Sequence, residues 1–212
     1  MHHLTQLAGR YVASLYDTHL PVNRIYHDLA HTECVVRAAG MIGLHVGLSA
    51  EEQTIVNLAA WFHDTGHTTT YEGHEIQSER LARAFLVVHG VESAAIEEVA
   101  RCIRATTMPQ RPGSLMESVL CDADLYYLST DSFDEGQAQL RKEWGYARKQ
   151  FWTDEDWRML NVRFFSEHLY HTEYGRTVLE ARKREQFARW LLRYNAPAPA
   201  PSRPPGLRIQ NR

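Results

Sequence analysis

The sequence predicts an all-α protein on three observations. Apolar residues recur at three- and four-residue intervals in one segment after another, capping signals punctuate these periods, and alternating strand patterns are almost absent. The 212 residues are 44% apolar and 23% charged, as in an ordinary soluble globular chain. A chain of this size buries roughly 70% of its unfolded surface, enough for a sizeable core without staples. The net charge of −3 argues against a generic nucleic-acid or anionic-membrane binder. Cys34, Cys102 and Cys121 form no CxxC pair and read as reduced thiols of a cytoplasmic protein. There is no signal-peptide core and no apolar run of about 18 residues, so neither secretion nor membrane spanning is expected.

The elements follow in order. Over residues 28–46, Val35, Ala39, Ile42 and Val46 share a stripe with His31, which stands four before Val35. Asp28 reads as the N-cap, which puts His27 before the helix and pointing elsewhere. Ser49 with Glu52 is a capping-box signature for the next helix. Its face of Ile55, Val56, Ala59 and Ala60 delivers His63 at the C-terminal end, and Gly66 marks the stop. A polar stretch over 68–73 leads to a third helix with His74, Ser78, Leu81, Phe85 and Val88 on one face and Gly90 at its end. Ile96, Val99, Ala100 and Ile103 mark a fourth helix, ended by the proline-containing segment 106–113. Further helices are predicted over 114–128, 133–151, after Asp154, and over a basic stretch at 174–194. Residues 1–195 thus read as one helical domain. Five of the eight prolines fall in 196–212, which is expected to be a disordered tail.

Twelve histidines stand out, because imidazole is the commonest metal ligand and proton shuttle near neutral pH. Taken singly, a histidine on an apolar stripe is more often a hydrogen-bonded core residue. Here three helices would turn His31, the pair His63-Asp64 and a carboxylate of Asp122-Ala123-Asp124 inward together. Imidazole nitrogen with carboxylate oxygen suits a borderline divalent cation, with a position left for the water that hydrolysis needs. Helical periodicity leaves two choices for the last carboxylate: Asp122 shares a stripe with Val119 and Tyr126, and Asp124 with Leu120 and Leu128.

Three stretches, in this order, resemble the HD-domain superfamily of metal-dependent phosphohydrolases. They are Tyr26-His27-Asp28-Leu29-Ala30-His31-Thr32, Ala59-Ala60-Trp61-Phe62-His63-Asp64-Thr65-Gly66-His67 and Asp122-Ala123-Asp124-Leu125, and the resemblance spans about residues 24–130. It implies an HD-domain helical bundle with additional C-terminal helices. It also implies that His31, His63 and Asp64 are metal ligands and, through an Ala-Asp-x-Leu motif, that Asp124 is the last one. The implied cofactor is a divalent ion (Mn, Fe, Ni, Co or Mg), with a second metal or a proton-handling role near His74.

The activity so implied is hydrolysis of a nucleotide or related small phosphate ester. Asp64 would hold the attacking water, His74 or His67 would protonate the departing oxygen, and Glu75 would orient one of them. Arg104 and Arg111 flank the segment between the ligand-bearing helices and are candidates for the substrate phosphate. His168 lies in a His-x-Tyr-x-Thr stretch similar to one found late in a branch of the family, and is a candidate for the pocket mouth. No nucleic-acid or membrane partner is expected, and the aromatic stretch 144–157 is a candidate homodimer face.

Other readings compete. A di-iron oxygenase branch carries a further histidine between the second-metal histidine and the last aspartate, yet residues 92–110 contain none, with Cys102 and Arg104 standing there instead. A non-catalytic nucleotide sensor would not need all four ligand positions intact. Among substrates, alarmone hydrolases carry an acidic pair after the HD motif, where this chain has Thr65-Gly66-His67-Thr68. That ranks alarmones below simple nucleotides.

Overall fold

The structure is a computed structural model that describes residues 2–194; the proline-rich stretch 196–212 lies outside the described residues. Among the described residues the regular elements are helical and no strand occurs. The first helix, α1 (His2–His19), is absent from the expectations above, although Ala8, Val12 and Tyr16 recur at four-residue spacing and are buried. Next comes α2 (Leu29–His45), opened by the Asp28 side chain, which accepts the His31 N–H at 2.9 Å. The capping box predicted at Ser49 and Glu52 is formed at the start of α3 (Ala50–Phe62). A left-handed Gly73 precedes α4 (His74–Val88), and Gly90, also left-handed, follows it, where a side chain would be strained. The first bundle is completed by α5 (Ser93–Ala105) and α6 (Leu115–Asp124).

The central helix is α3. Ile55, Val56, Leu58, Ala59, Ala60 and Phe62 are all buried, and α1, α2, α5 and α6 pack around it. A helix apolar on nearly every side has nowhere to go but the middle of a bundle. Its C-terminal end therefore delivers His63 and Asp64 to a point inside the protein.

The helix expected over 114–128 is two pieces: α6 stops at Asp124, and a tighter 3-10 turn runs over Tyr126–Ser129. The break has a packing reason. Leu120 belongs to the core of α1–α6, whereas Leu128 packs into a second core with Phe133, Trp157, Phe165 and Trp190. One helical stripe could not serve both. That second core is built by α7 (Phe133–Arg148), α8 (Asp154–Glu167) and α9 (Glu180–Tyr194). The α7 helix ends short of the expected residue 151, at a left-handed Lys149. Likewise α9 begins later than expected, after a π turn over Gly175–Leu179. Trp144, Trp152 and Trp157 pack on one another with ring centroids 5.7–6.4 Å apart, while Tyr146 and Phe151 of the same stretch are exposed. No helix among the described residues is long and apolar enough to cross a membrane. Cys34, Cys102 and Cys121 are free, the latter two buried.

Asp122 ties the two halves together. Its carboxylate accepts the backbone N–H of His171 (2.7 Å) and of Thr172 (2.9 Å), and the Thr172 hydroxyl (2.6 Å). Gly175 lies so close that a Cβ there would stand 2.3 Å from Asp122 Oδ2. Burial pushes the Asp122 carboxyl above its ordinary value, and these donors oppose that shift. Asp122→Ala should strip three buried donors of their acceptor and cost about 2–4 kcal/mol, read as a lower melting temperature. Divalent-cation binding should persist, because Asp124 is untouched.

A second tie joins the end of α8 to α9. Lys183 is only 1% exposed, and its ammonium donates to the His168 carbonyl at 2.7 Å and faces His168 Nδ1 at 3.2 Å and Glu180 Oε2 at 2.8 Å. Burial, with the Lys183 charge added, pulls His168 down to about 3. The unfolded chain therefore takes up a proton below about pH 6.5 that the folded chain refuses. Stability is full above that pH and falls as acid is added, by up to about 1.4 kcal/mol per unit. Urea titrations between pH 6.5 and 4.5 should show a shallower acid loss for His168→Asn, which keeps an acceptor for Lys183 without a titrating ring.

Candidate metal centre

Four side chains from three separate regions meet at the C-terminal end of α3. His31 Nε2 lies 3.3 Å from Asp64 Oδ2 and 3.5 Å from Asp124 Oδ1. His63 Nε2 lies 3.2 Å and 3.5 Å from the same two oxygens. His31 reaches the point from the first turn of α2, and Asp124 from the last residue of α6. The stripe that carries His31 is the one that buries Val35, Ala39 and Ile42, so packing of α2 on α3 aims the imidazole.

Neighbouring groups fix each ligand-type atom. His63 Nδ1 lies 2.8 Å from the Ala60 carbonyl, which places the ring hydrogen on Nδ1 and turns Nε2 toward the carboxylates. Likewise His74 Nδ1 meets the Tyr71 carbonyl at 3.0 Å, and its Nε2 lies 3.3 Å from Asp64 Oδ1. Gln110 donates to Asp124 Oδ2 at 3.2 Å. The α3 helix ends at Phe62, before the expected Gly66, which lies in a 3-10 turn over Thr65–Thr68; a Cβ there would stand 2.0 Å from the His74 carbonyl oxygen, so only glycine lets the His63-Asp64 turn touch the start of α4. The Gly66 N–H is held by Ser78 Oγ at 2.8 Å.

The electrostatics follow from burial and proximity. Burial alone would raise the Asp64 carboxyl, yet His63, His31 and His74 hold it well below the ordinary carboxylate range. Asp124 is brought to about 2 against the same burial penalty, through His31 and His63. In return, against burial, Asp124 and Asp64 lift His31 to about 9 and His63 well above its usual value. His74 is raised as well, with Asp64 and Glu75 outweighing burial. Without a cation, protons on the imidazoles supply the positive charge these two buried carboxylates demand.

This arrangement fits a divalent cation. His31 Nε2, His63 Nε2 and Asp64 Oδ2 are buried without a hydrogen-bond partner. Ligand atoms of His31, His63 and Asp124 all lie within 4.8 Å of one another. Two imidazoles and two carboxylates make a donor set for Mn, Fe, Co, Ni or Zn more than for Ca.

The remaining candidates divide. Glu75 stands beside the cluster, its Oε1 3.9 Å from His74 Nε2. His67 is buried, and its ring stacks on His74 at 3.9 Å. His27 does not point elsewhere: Glu143 anchors it, and its ring stacks on His67 at 4.3 Å, inside the cluster. By contrast, Arg104 is held by Glu79 at 2.6 Å in a surface ion pair between α4 and α5, which occupies its guanidinium away from the cluster. Arg111 is exposed, and the residue its segment brings to Asp124 is Gln110. His168 packs against Phe164 and Tyr170 and faces Lys183 through Nδ1, while its Nε2 is buried without a hydrogen-bond partner.

The sequence reading missed Glu143, Gln110 and Arg24, whereas Arg148 was among the basic residues after the last aspartate that could touch substrate. Glu143 stands on the same helical stripe of α7 as Gly136 and Leu140, and a carboxylate in a buried stripe was its one visible signal. Arg24 lies over the Tyr71 ring at 4.7 Å, and Arg148 lies over it at 5.8 Å and over Trp144 at 4.2 Å. The Tyr71 ring in turn is 5.1 Å from that of His67. Gln110 and Arg24 carried no signal.

A helical bundle with imidazoles and carboxylates converging on one buried point defines a protein built around a divalent-cation site. Residues 28–127 match the family model described as HD domain, consistent with a member of the HD-domain superfamily, whose members are typically metal-dependent hydrolases. No curated protein and no solved structure matches the chain significantly.

Two substitutions separate the neighbouring aspartates. Asp124→Ala should abolish tight Mn or Co binding in isothermal titration. Gln110→Ala should weaken it by roughly 10-fold, the low end of the effect of losing an outer partner of a ligand.

Proposed function

We propose that the protein is a metal-dependent phosphohydrolase that cleaves a nucleotide or a related small phosphate ester. The observation that carries this reading is the convergence of unpartnered, buried His31 Nε2, His63 Nε2 and Asp64 Oδ2 beside Asp124 in an HD domain. His31, His63, Asp64 and Asp124 would hold the ion. When bound, it lowers the pKa of a water and polarises the phosphoryl oxygen.

The chain's own groups do the rest. Asp64 positions the attacking water through a carboxylate oxygen. His74, kept protonated by Asp64 and Glu75, gives its Nε2 proton to the departing oxygen. His67 does not take this role, because burial pushes its imidazole far below the usual range and keeps the ring neutral, a poor general acid. Substrate charge is met by Arg24 and by Arg148, whose 3.3 Å pair with the exposed Glu72 is easily exchanged, in place of Arg104 and Arg111, and the aromatic faces of Tyr71 and Trp144 suit a base. The di-iron oxygenase reading loses support because the α5 position is filled by Cys102, fully buried in the core with its thiol pushed up to about 12.

The test is a panel of nucleoside monophosphates, cyclic nucleotides and simple phosphate esters assayed with Mn, Fe, Ni, Co and Mg. Release of phosphate or of an opened phosphoester is expected. His63→Ala should remove more than about 100-fold of that activity, beyond the 10–100-fold typical of outer-shell losses. Arg148→Ala should raise KM about 10-fold, and Arg104→Ala should leave it unchanged. Oxygen consumption without phosphate release would replace the reading by an oxygenase, and tight nucleotide binding without turnover by a sensor.

A further inference from the structure

We infer that a groove along α7 is the docking surface for this chain's own proline-rich segment, residues 196–203, taken up in the extended polyproline conformation. The inference is independent of the cation site and of the reaction proposed above.

Two hollows meet on one face of α7 and share Ala138 and Arg141. The larger, of about 620 Å³, is lined by the nearly buried Trp157 and Trp190, with the Asp134–Arg193 ion pair at one end. The other is lined by Tyr146, Phe151 and Trp152. Together they follow α7 from Asp134 to Tyr146, which at a rise of 1.5 Å per residue is about 18 Å.

This surface is short of a partner in two ways. Tyr146 is 52% and Phe151 85% exposed, which leaves large rings in water at the groove. Among the other lining residues, the buried Gln137 donates its Nε2 hydrogen to the Tyr127 hydroxyl at 3.0 Å and keeps Oε1 without a partner. The buried indole Nε1 of Trp152 has no acceptor. A buried acceptor and a buried donor left over on one groove are uncommon in a folded protein. An extended backbone supplies the complement of both, because polyproline geometry makes no internal hydrogen bonds.

The course of the chain names the occupant. The α9 helix ends at Tyr194, with Trp190 and Arg193 already in the groove wall and Arg193 paired with Asp134 at the start of α7. The chain therefore leaves α9 at one end of the groove, and the sequence that follows is Ala196-Pro197-Ala198-Pro199-Ala200-Pro201-Ser202-Arg203. Proline presets the extended dihedral, so little chain entropy is left to lose on docking, and its ring packs on aromatic faces. At 3.1 Å per residue, Ala196 to Pro201 span about 19 Å, the length of the groove. The intervening alanines keep N–H groups for Gln137, and the carbonyls are open to Trp152. Charge agrees as well. Residues 196–212 carry Arg203, Arg208 and Arg212 and no acidic residue, while Asp154 in the groove wall begins an acidic turn with Glu155 and Asp156.

The experiment is nitrogen-15 relaxation on the full chain, read at the N–H groups of Ala198, Ala200 and Ser202 and at the Trp152 indole. Wild type should give order parameters near 0.85 at the three backbone groups, where an undocked segment gives less than about 0.6. One variant replaces Pro197, Pro199 and Pro201 together by glycine, and the other replaces the exposed Tyr146 and Phe151 by serine. Each should drop the three values below about 0.6 and move the Trp152 indole proton, a signal assigned with Trp152→Phe, with the far-ultraviolet circular dichroism unchanged. Values below about 0.6 in wild type would overturn the docking. So would values that either variant leaves near 0.85, because the segment would then be held elsewhere. High values that fall on dilution of the protein would put the segment in the groove of a second copy and overturn docking within one chain.

Discussion

A buried carboxylate is costly unless positive charge comes with it, and Asp64 sits at 3% exposure in the middle of this molecule. His31 from α2, His63 from the end of α3 and His74 from α4 answer that demand within 3.2–3.3 Å. Each helix must therefore end or begin within a narrow distance of Asp64. The Ala60 and Tyr71 carbonyls that hold His63 and His74, the close approach permitted by Gly66, and the Asp28 cap that starts α2 all serve this constraint. A divalent cation would meet the same demand with two charges in one place.

The C-terminal helices belong to the same design. Asp122, two residues before Asp124, clamps residues 171 and 172, so the last carboxylate of the cluster is set on a helix anchored to the segment between α8 and α9. From the other side, Glu143 reaches back from α7 to hold the Tyr26-His27 backbone and the His27 ring. From beyond residue 127, Glu143 thus fixes the outer His27, while the 28–127 segment supplies the inner four.

The two charged residues buried in the second half show how polar groups in a helical core are tolerated. Lys183 and Glu143 each find partners on another segment, and each fixes the approach of one element to another. Replacing either partner leaves a buried charge exposed to a low-dielectric interior, so these pairs set geometry more than they add net stability.

Local signals settled most of the fold. The 3.6-residue period around Val35, the capping box at Ser49, the glycine after α4 and the order of His31, His63-Asp64 and Asp124 were all legible, because each depends on residues within a turn or two of one another. Others were blurred by long-range packing. The 114–128 stripe broke because Leu120 and Leu128 serve different cores, and Arg104 was lost to Glu79 across a helix pair. Asp122 and Asp124 could not be told apart by periodicity, since both stripes are apolar; only the backbone of residues 171 and 172 separates them. The amino-acid order by itself determined an all-α chain with a histidine–aspartate centre. Which aspartate faces that centre, which arginines flank it, and that His27 and Glu143 join it were decided by tertiary contacts between residues more than a hundred positions apart, as with His27 and Glu143, or on different helices. Helical periodicity assigns a face; only the packing of one helix on another says what that face meets.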